Sequence, residues 1–336
     1  MLEVKDLKVH FKIQDGWVKA VDGVSFAIDK SETMGLVGES GCGKTTAAYA
    51  ITQLLPTNGY IKGGQILFKG RDLLKLSIRK DGTLDDYNDE IRKIRWKDIS
   101  MIFQGAMNAF DPVMRIGDQI KEAIQLHEEI DDDEVRKRVA GLFGFVGIPE
   151  DRIDNYPHEF SGGMKQRAMI ALALALSPSF IIADEPTTAL DVITQDRILY
   201  EIRKLQEQLH MAMMIITHDV SVVAEVSDKI GVMYAGKMME IGKTAQVFSN
   251  TAHPYTAGLL GSFPSITGPK RRLISIPGFP PDLVNPPKGC PFHPRCGFVQ
   301  PKCSKESPPA IEIEPGHITY CHFARELWNE LRRETK

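Results

Sequence analysis

Residues 38–45, GESGCGKT, have the composition and spacing of a phosphate-binding loop, or P-loop. Glycines permit a tight turn whose N–H groups face an anion, and a helix N-terminus favours negative charge. The apolar segment TMGLV precedes the loop and the helix-forming segment TAAYAITQLL follows it, as the motif requires. Lys44 is expected to bridge the β- and γ-phosphates, and Thr45 to ligate Mg²⁺. The residues predicted to bind nucleotide here are Gly38, Ser40, Gly41, Gly43, Lys44, Thr45 and Thr46.

Two acidic residues follow the apolar segment FIIA, within FIIADEP at residues 180–186. A buried strand that ends in carboxylates places them at the edge where open α/β sheets bind ligands. Asp184 is expected to hold Mg²⁺, and Glu185 to orient and deprotonate an attacking water. An isolated Asp-Glu pair is usually two solvated loop acids. Together with the upstream P-loop, the pair favours a nucleotide-hydrolysing site.

The surrounding chain predicts an α/β fold. The first hundred residues indicate short strands and one helix after Lys44, and residues 113–150 show helical periodicity. From Ser161 onward strands and helices alternate, which implies a parallel sheet covered on both faces. Prolines accumulate after about residue 250, and we expect a separate tail or small module there. The strands predicted in the first hundred residues are Leu2–Phe11, Val24–Ile28, Thr33–Val37, Gln65–Phe68 and Ile99–Phe103.

Composition excludes several classes of protein. The 336 residues are 43% hydrophobic and 25% charged, and no apolar run approaches the ~20 residues of a membrane helix. A net charge of -3 provides no basic surplus for a polynucleotide, so we expect no nucleic acid partner. The start MLEVKDLKVHF lacks the layout of a signal peptide, which predicts a cytoplasmic protein. In that compartment the five cysteines are not expected to form disulfides.

The segment FSGGMKQR at residues 160–167 lies between the P-loop and the acidic pair. Gln104 follows SMIF, TALD occupies residues 188–191, and His218 follows MIIT. In this order the motifs resemble those of the ABC ATPase family. The resemblance implies a P-loop NTPase core of the RecA-like type, with an antiparallel β subdomain and a helical signature subdomain at about residues 105–165.

The resemblance also implies roles for single residues, with ATP and Mg²⁺ as cofactors. Gln104 and His218 would join Glu185 as catalytic residues, and Gln104 would approach Mg²⁺ beside Thr45 and Asp184. Phe11 would stack on adenine, with Trp17 as the alternative. The signature segment would contact the γ-phosphate bound by a partner subunit, so that two subunits close over two ATP molecules. Its contacting residues would be Ser161, Gly162 and Gly163.

Four cysteines lie in the proline-rich tail, separated by five, six and seventeen residues. Four thiolates bind either zinc or an iron–sulfur cluster, and this spacing does not decide between them, although the short gap usual for zinc is absent. Four unrelated buried thiols are the alternative. Neighbouring His293, His317 and His322 are interpreted as loop residues or neighbours of the site. The predicted ligands are Cys290, Cys296, Cys303 and Cys321.

The tail segments HPYTAGLLGSFP, IPGFPPDLVNPPKGCPFHPRC and GHITYCHF resemble the C-terminal extension of ATPase subunits of dipeptide, oligopeptide and nickel importers. This resemblance implies a four-iron, four-sulfur (4Fe-4S) cluster, with zinc as the alternative. It divides the chain into a nucleotide-binding domain at residues 1–250 and a small irregular cysteine-rich extension at residues 251–336.

The function implied is ATP-driven import of di- or oligopeptides from the cytoplasmic side of the cell membrane, where the protein would be peripheral. Partners would be a second ATPase subunit, two membrane permease subunits and an extracytoplasmic peptide-binding protein. A soluble ABC ATPase of nucleic-acid repair or translation is the alternative. A non-hydrolysing subunit is a third, which Lys44, Glu185 and His218 disfavour.

Overall fold

The computed structural model describes residues 1–85, 88–105, 109–186, 191–262 and 276–334. These described residues form twelve strands: β1 (Leu2–Ile13), β2 (Gly16–Ile28), β3 (Thr33–Val37), β4 (Gly59–Phe68), β5 (Arg71–Asp72), β6 (Ile99–Ile102), β7 (Phe180–Asp184), β8 (Ala212–Ile216), β9 (Lys229–Tyr234), β10 (Lys237–Lys243), β11 (Ile311–Glu314) and β12 (His317–Thr319). The helices are α1 (Lys44–Ile51), α2 (Leu73–Ser77), α3 (Asp89–Ile94), α4 (Ile116–Gln125), α5 (Asp132–Phe145), α6 (Gly162–Leu174), α7 (Val192–Leu209), α8 (Val220–Val226), α9 (Thr244–Ser249), α10 (Pro254–Gly261) and α11 (Ala324–Glu334).

The chain divides into two compact units. The first comprises residues 1–28, 33–85 and 216–336, and the second residues 29–32 and 86–215. In the first unit, four antiparallel strands form a sheet in the order β2-β1-β4-β5. A second group of strands follows the order β11-β12-β10-β9-β3, in which β3 and β9 are parallel. The antiparallel sheet matches the β subdomain that the sequence predicts.

The second unit contains β7 between β6 and β8, with β6 and β7 parallel. Every residue of β7 and β8 is buried, as expected for parallel strands covered on both faces. Two helices of this unit bury the residues that recur at three- and four-residue steps in the sequence. These residues are Ile116, Ile120 and Ile124 of α4, and Val135, Val139 and Phe143 of α5.

Several predictions for the first hundred residues were wrong in extent. Strand β2 begins at Gly16 rather than Val24, and β4 begins at Gly59 rather than Gln65. The added residues include polar side chains such as Lys19 and Lys62, because one face of an antiparallel sheet can meet water. Two further helices, α2 and α3, are present where only one helix was expected. They span five and six residues, too few for periodicity to reveal, and only their caps Asp72 and Asn88 mark them.

The C-terminal tail is more regular than its prolines suggested. It contributes α10, α11, β11 and β12, and β12 pairs with β10, so this tail is part of the first unit rather than a separate one. The tail also contributes to a core, because Tyr255, Phe292 and Cys303 pack in one hydrophobic cluster with Val37 of β3. The sequence did not reveal this packing, because the buried aromatic and cysteine residues of the tail are irregularly spaced and do not form the periodic apolar pattern of a helix or strand. Within the described ranges no helix is long and apolar enough to cross a membrane.

Candidate nucleotide-binding site

The P-loop connects β3 to α1 through backbone conformations that require glycine. Gly38 and Gly43 have φ of 151° and 102°, in the region that other residues rarely adopt. A Cβ atom at Gly38 would overlap the carbonyl oxygen of Met233, and one at Gly43 would overlap that of Ala20. Gly41 also has a positive φ of 76°, but open space surrounds it. Gly38 and Gly43 therefore pack closely against the neighbouring backbone, whereas Gly41 is exposed.

Lys44 begins α1 and is 8% exposed. Its Nζ donates hydrogen bonds to the carbonyl oxygens of Gly38 at 2.8 Å and Glu39 at 3.0 Å. Thr45 and Thr46 lie half-buried in the first turn of the helix. The loop thus brings the lysine ammonium and the N-terminus of α1 together, which is the arrangement that binds the phosphates of a nucleotide.

The acidic pair and the predicted glutamine meet in the second unit. Asp184 is the last residue of β7 and is 1% exposed. Glu185 follows it with φ of 49°, a left-handed conformation that is costly for a non-glycine residue and that is concentrated at functional sites. Gln104, two residues after β6, donates a hydrogen bond from Nε2 to Oε2 of Glu185 at 2.9 Å. Two of the predicted catalytic residues are therefore in direct contact.

The signature segment forms the N-terminus of α6. Ser161 is the N-cap, and its Oγ accepts a hydrogen bond from the backbone N–H of Met164 at 3.3 Å. Ser161 is exposed and Gly162 and Gly163 are half-buried, so the start of this helix is accessible. Gln166, which the sequence analysis missed, donates from Nε2 to the carbonyl oxygen of Pro186 and ties α6 to the chain after Glu185. Its position in the signature segment was the only indication of this role.

His218 lies in the first unit, exposed, two residues after β8. The next residue, Asp219, caps α8 by accepting from the backbone N–H of Ser221 at 2.9 Å. Asp191, the last residue of TALD, caps α7 in the second unit by accepting from Thr194 at 2.9 Å. The rest of that motif, residues 188–190, lies outside the described residues.

Phe11 is half-buried in β1, where it pairs with Gly59 of β4. A Cβ atom at Gly59 would lie 3.1 Å from the Phe11 ring. The alternative, Trp17, has the Nζ of Lys62 at 3.8 Å from its ring centroid. It also packs edge-to-face with the ring of Tyr60, at a centroid distance of 5.0 Å. One face of Trp17 is therefore already covered by a cation. Stacking of adenine on Phe11 stays a prediction.

The four tail cysteines line one cavity in the first unit. The backbone N–H of Cys290 donates to the carbonyl oxygen of Cys303 at 2.8 Å, which holds two of these segments side by side. Burial, with smaller contributions from the other thiols, raises the pKa of Cys290 to about 11 and that of Cys321 to about 12. All five cysteines are free. Among the described residues no group of three or more His, Cys, Asp or Glu side chains is arranged to hold one metal ion.

The nearby histidines make other contacts. His317 is fully buried and its Nε2 lies 2.7 Å from Oε1 of Glu240, itself fully buried. Nδ1 of His293 lies 2.9 Å from the carbonyl oxygen of Cys290, and Nε2 of His322 lies 2.9 Å from that of Glu306. His293 therefore contacts the backbone of a cysteine, whereas His317 and His322 contact Glu240 and Glu306.

Comparison with known proteins places these features in a family. A model described as ABC transporter matches residues 21–188, and one described as Oligopeptide/dipeptide transporter, C-terminal region, matches residues 239–303. The chain belongs to the ABC transporter family. The first match contains the P-loop, Gln104, the signature segment and the acidic pair, and the second contains Cys290, Cys296 and Cys303. The predicted family, fold class and ATPase activity are thereby confirmed.

Similarity to known relatives extends over nearly the whole of this chain. It is 45% identical to the oligopeptide transport ATP-binding protein OppD of Bacillus subtilis, over 94% of this chain and 87% of that protein. It is 46% identical to the dipeptide transport ATP-binding protein DppD of Lactococcus lactis, over 95% and 89%. Among solved structures, the dimeric post-hydrolysis state of the ATP-binding cassette MJ0796 with ADP and Pi superposes with a TM-score of 0.64 at 26% identity, covering 73% of this chain and 99% of that one.

Proposed function

We propose that this ABC ATPase hydrolyses ATP to drive import of dipeptides or oligopeptides. The observation that carries the proposal is the second family match, at residues 239–303, combined with likeness over nearly the full length to relatives named for oligopeptide and dipeptide transport. In this proposal residues 1–250 form the nucleotide-binding domain, with its helical subdomain at about residues 105–165, and residues 251–336 form the extension.

Each predicted residue receives a role in binding or hydrolysis. The P-loop N–H groups and Lys44 bind the β- and γ-phosphates, and Thr45 and Asp184 hold Mg²⁺. Glu185 takes the proton of the attacking water as general base. Gln104 orients that carboxylate through the hydrogen bond already present and approaches the metal, and His218 contacts the γ-phosphate.

A second ATPase subunit is the proposed partner across the nucleotides. The exposed N-cap Ser161 and the two glycines after it offer backbone N–H groups at a helix N-terminus, which suits a phosphate bound by the other subunit. Hydrolysis would remove the phosphate that both subunits contact, and the dimer would open.

Two permease subunits are the proposed membrane partners, with an extracytoplasmic peptide-binding protein that delivers substrate to them. A groove in the second unit is lined by residues of α3, α4 and the segments around them, including Trp96, Gln119 and Leu126. Leu126 is 69% exposed, so an apolar side chain faces a solvent-filled groove. We assign this groove to a cytoplasmic helix of the permease, which would hold the ATPase at the inner face of the membrane.

Peptide uptake by cells tests this function. A strain lacking the gene should lose uptake of a labelled tripeptide, and the wild-type gene should restore it while the Glu185→Gln variant should not. Uptake of a free amino acid serves as the control and should not change. Normal peptide uptake in the deletion strain would reject the importer function and would favour the ABC ATPases of nucleic-acid repair or translation.

We further propose that the four tail cysteines hold a 4Fe-4S cluster, with zinc as the alternative. The fit rests on the donor set, because four thiols line one cavity whose wall also includes Phe292, Phe298 and Phe323. Iron–sulfur clusters are bound by four cysteine thiolates, and the positive charge of the metal compensates the loss of the thiol protons. The cluster would fix the loops of the extension, and no step of ATP hydrolysis requires it.

Metal analysis distinguishes these occupants. Protein purified without oxygen should contain iron and acid-labile sulfide in near-stoichiometric amounts, with visible charge-transfer absorption. Zinc without iron would establish the alternative, and neither metal would reject the site while leaving the ATPase assignment intact.

A further inference from the structure

Glu39, the second residue of the P-loop, is held by an arginine from the cysteine-rich extension. Nη1 of Arg295 donates to Oε2 of Glu39 at 2.7 Å, and Nη2 donates to Oε1 at 3.0 Å. The Arg295 side chain is 7% exposed and that of Glu39 25% exposed, so the pair is largely withdrawn from water. A bidentate, desolvated arginine–carboxylate pair restricts both side chains to one geometry.

The backbone of Glu39 is held on both sides as well. Its N–H donates to Oη of Tyr255 at 2.9 Å, and its carbonyl oxygen accepts from Nζ of Lys44 at 3.0 Å. Tyr255 is fully buried, with its ring centroid 4.6 Å from that of Tyr234 and 5.3 Å from that of Phe292. The position of the loop that carries the phosphate-binding lysine therefore depends on residues of the C-terminal region.

Arg295 belongs to the loop between Cys290 and Cys296, and contacts outside this cysteine loop hold its side chain. It ends the 3-10 turn His293–Arg295, which lies between Cys290 and Cys296. Its Nε donates to the carbonyl oxygen of Pro277 at 2.7 Å, and its Nη1 donates to Oη of Tyr234 at 3.1 Å. A displacement of the cysteine loop would move this guanidinium and so the carboxylate of Glu39.

We propose that Arg295 is a positioning residue of the nucleotide site, through which the cysteine loop of the extension sets the geometry of the P-loop and its affinity for ATP. The inference rests on the proposed role of the P-loop in phosphate binding. It does not depend on which metal the cysteines hold. Coupling between two sites is reciprocal, so nucleotide binding also stabilises the arrangement of the cysteine loop.

The affinity of the full-length protein for ATP with Mg²⁺, measured by titration calorimetry, tests the proposal. Arg295→Gln and Glu39→Gln should each weaken binding about tenfold, and the double variant should be no weaker than either single one, because each change removes the same interaction. Arg295→Lys should give an intermediate affinity, since a lysine keeps the charge but not the bidentate geometry. Turnover of Arg295→Gln at saturating ATP should stay within about twofold of wild type, because the residues assigned to hydrolysis are unchanged.

An ion pair in the same unit provides the matched control. Nη2 of Arg79 lies 2.9 Å from Oδ1 of Asp85, and neither residue belongs to the P-loop, so Arg79→Gln should leave ATP affinity unchanged. Wild-type affinity in folded Arg295→Gln, or additive losses in the double variant, would overturn the proposal. Should Arg295→Gln not fold, wild-type affinity in Arg295→Lys would overturn it. A wild-type protein that does not bind ATP would instead reject the proposed function.

Discussion

Gln104 donates a hydrogen bond to Glu185 at 2.9 Å although the two residues are 81 positions apart in the chain. The parallel pairing of β6 and β7 explains this contact, because Ile102 is the register partner of Ala183. Each of the two functional residues lies two positions beyond one member of that pair. The carboxyl edge of the sheet therefore brings together a glutamine and a carboxylate that the sequence placed in separate motifs.

Glu185→Gln should retain ATP and Mg²⁺ binding while reducing turnover by at least ~10²-fold, the contribution typical of a general base. The amide keeps the size of the side chain and an oxygen that accepts from Gln104. Phosphate release and ATP binding measured on the same preparation check the prediction. Glu129→Gln, a change at an exposed residue of the same unit, should leave both unchanged. Unchanged turnover in Glu185→Gln would refute its role as the base.

Lys44→Ala should lose ATP affinity itself, in contrast to Glu185→Gln. The ammonium now donates to two carbonyl oxygens of the P-loop, and its removal leaves both the phosphates and those oxygens without a cation. Equilibrium binding should show a loss of at least ~10-fold. Normal ATP affinity in a folded Lys44→Ala protein would contradict the assignment of the P-loop.

The motifs could be predicted from the sequence because each places its residues next to one another. The strand–loop–helix around Lys44 and the strand that ends at Asp184 follow directly from local patterns, and the structure agrees with them. The contact between Glu39 and Arg295 could not be predicted, because its partners are 256 positions apart in the chain and neither belongs to a periodic segment. The tail was misjudged for a similar reason, since β12 gains its hydrogen bonds from β10, far away in the chain.

Replacing a single tail cysteine should remove the metal without removing the ATPase site. Cys303→Ser is expected to lose most of the iron and sulfide, because one of four thiolate donors is gone. Cys42→Ser is the matched control, as Cys42 is also a buried free cysteine but does not line the cavity. Equal metal content in the two variants, measured on protein purified without oxygen, would contradict the assignment of the ligands.

Ser161→Ala should reduce ATP-dependent dimerisation beyond what the loss of a helix cap alone would cause. Its Oγ caps α6, so the substitution lowers the free energy of unfolding by about 1 kcal/mol whether or not Ser161 also contacts the partner's phosphate. Asp131→Ala removes a comparable cap, from α5, and controls for that loss. In a Glu185→Gln background, where ATP is not consumed, size-exclusion chromatography should show fewer dimers for Ser161→Ala only. Equal dimer fractions in both variants would reject the contact with the partner's phosphate.

Gly43→Ala and Gly41→Ala should differ in stability although both glycines lie in the P-loop with positive φ. An alanine at either position adopts a left-handed conformation at a cost of roughly 1–2 kcal/mol. At Gly43 the added methyl group would also overlap the carbonyl oxygen of Ala20, whereas at Gly41 it meets open space. The free energy of unfolding, measured by chemical denaturation without nucleotide, should fall by at least ~1 kcal/mol more for Gly43→Ala. Equal losses would show that the P-loop relaxes away from Ala20, and that close packing there does not hold its shape.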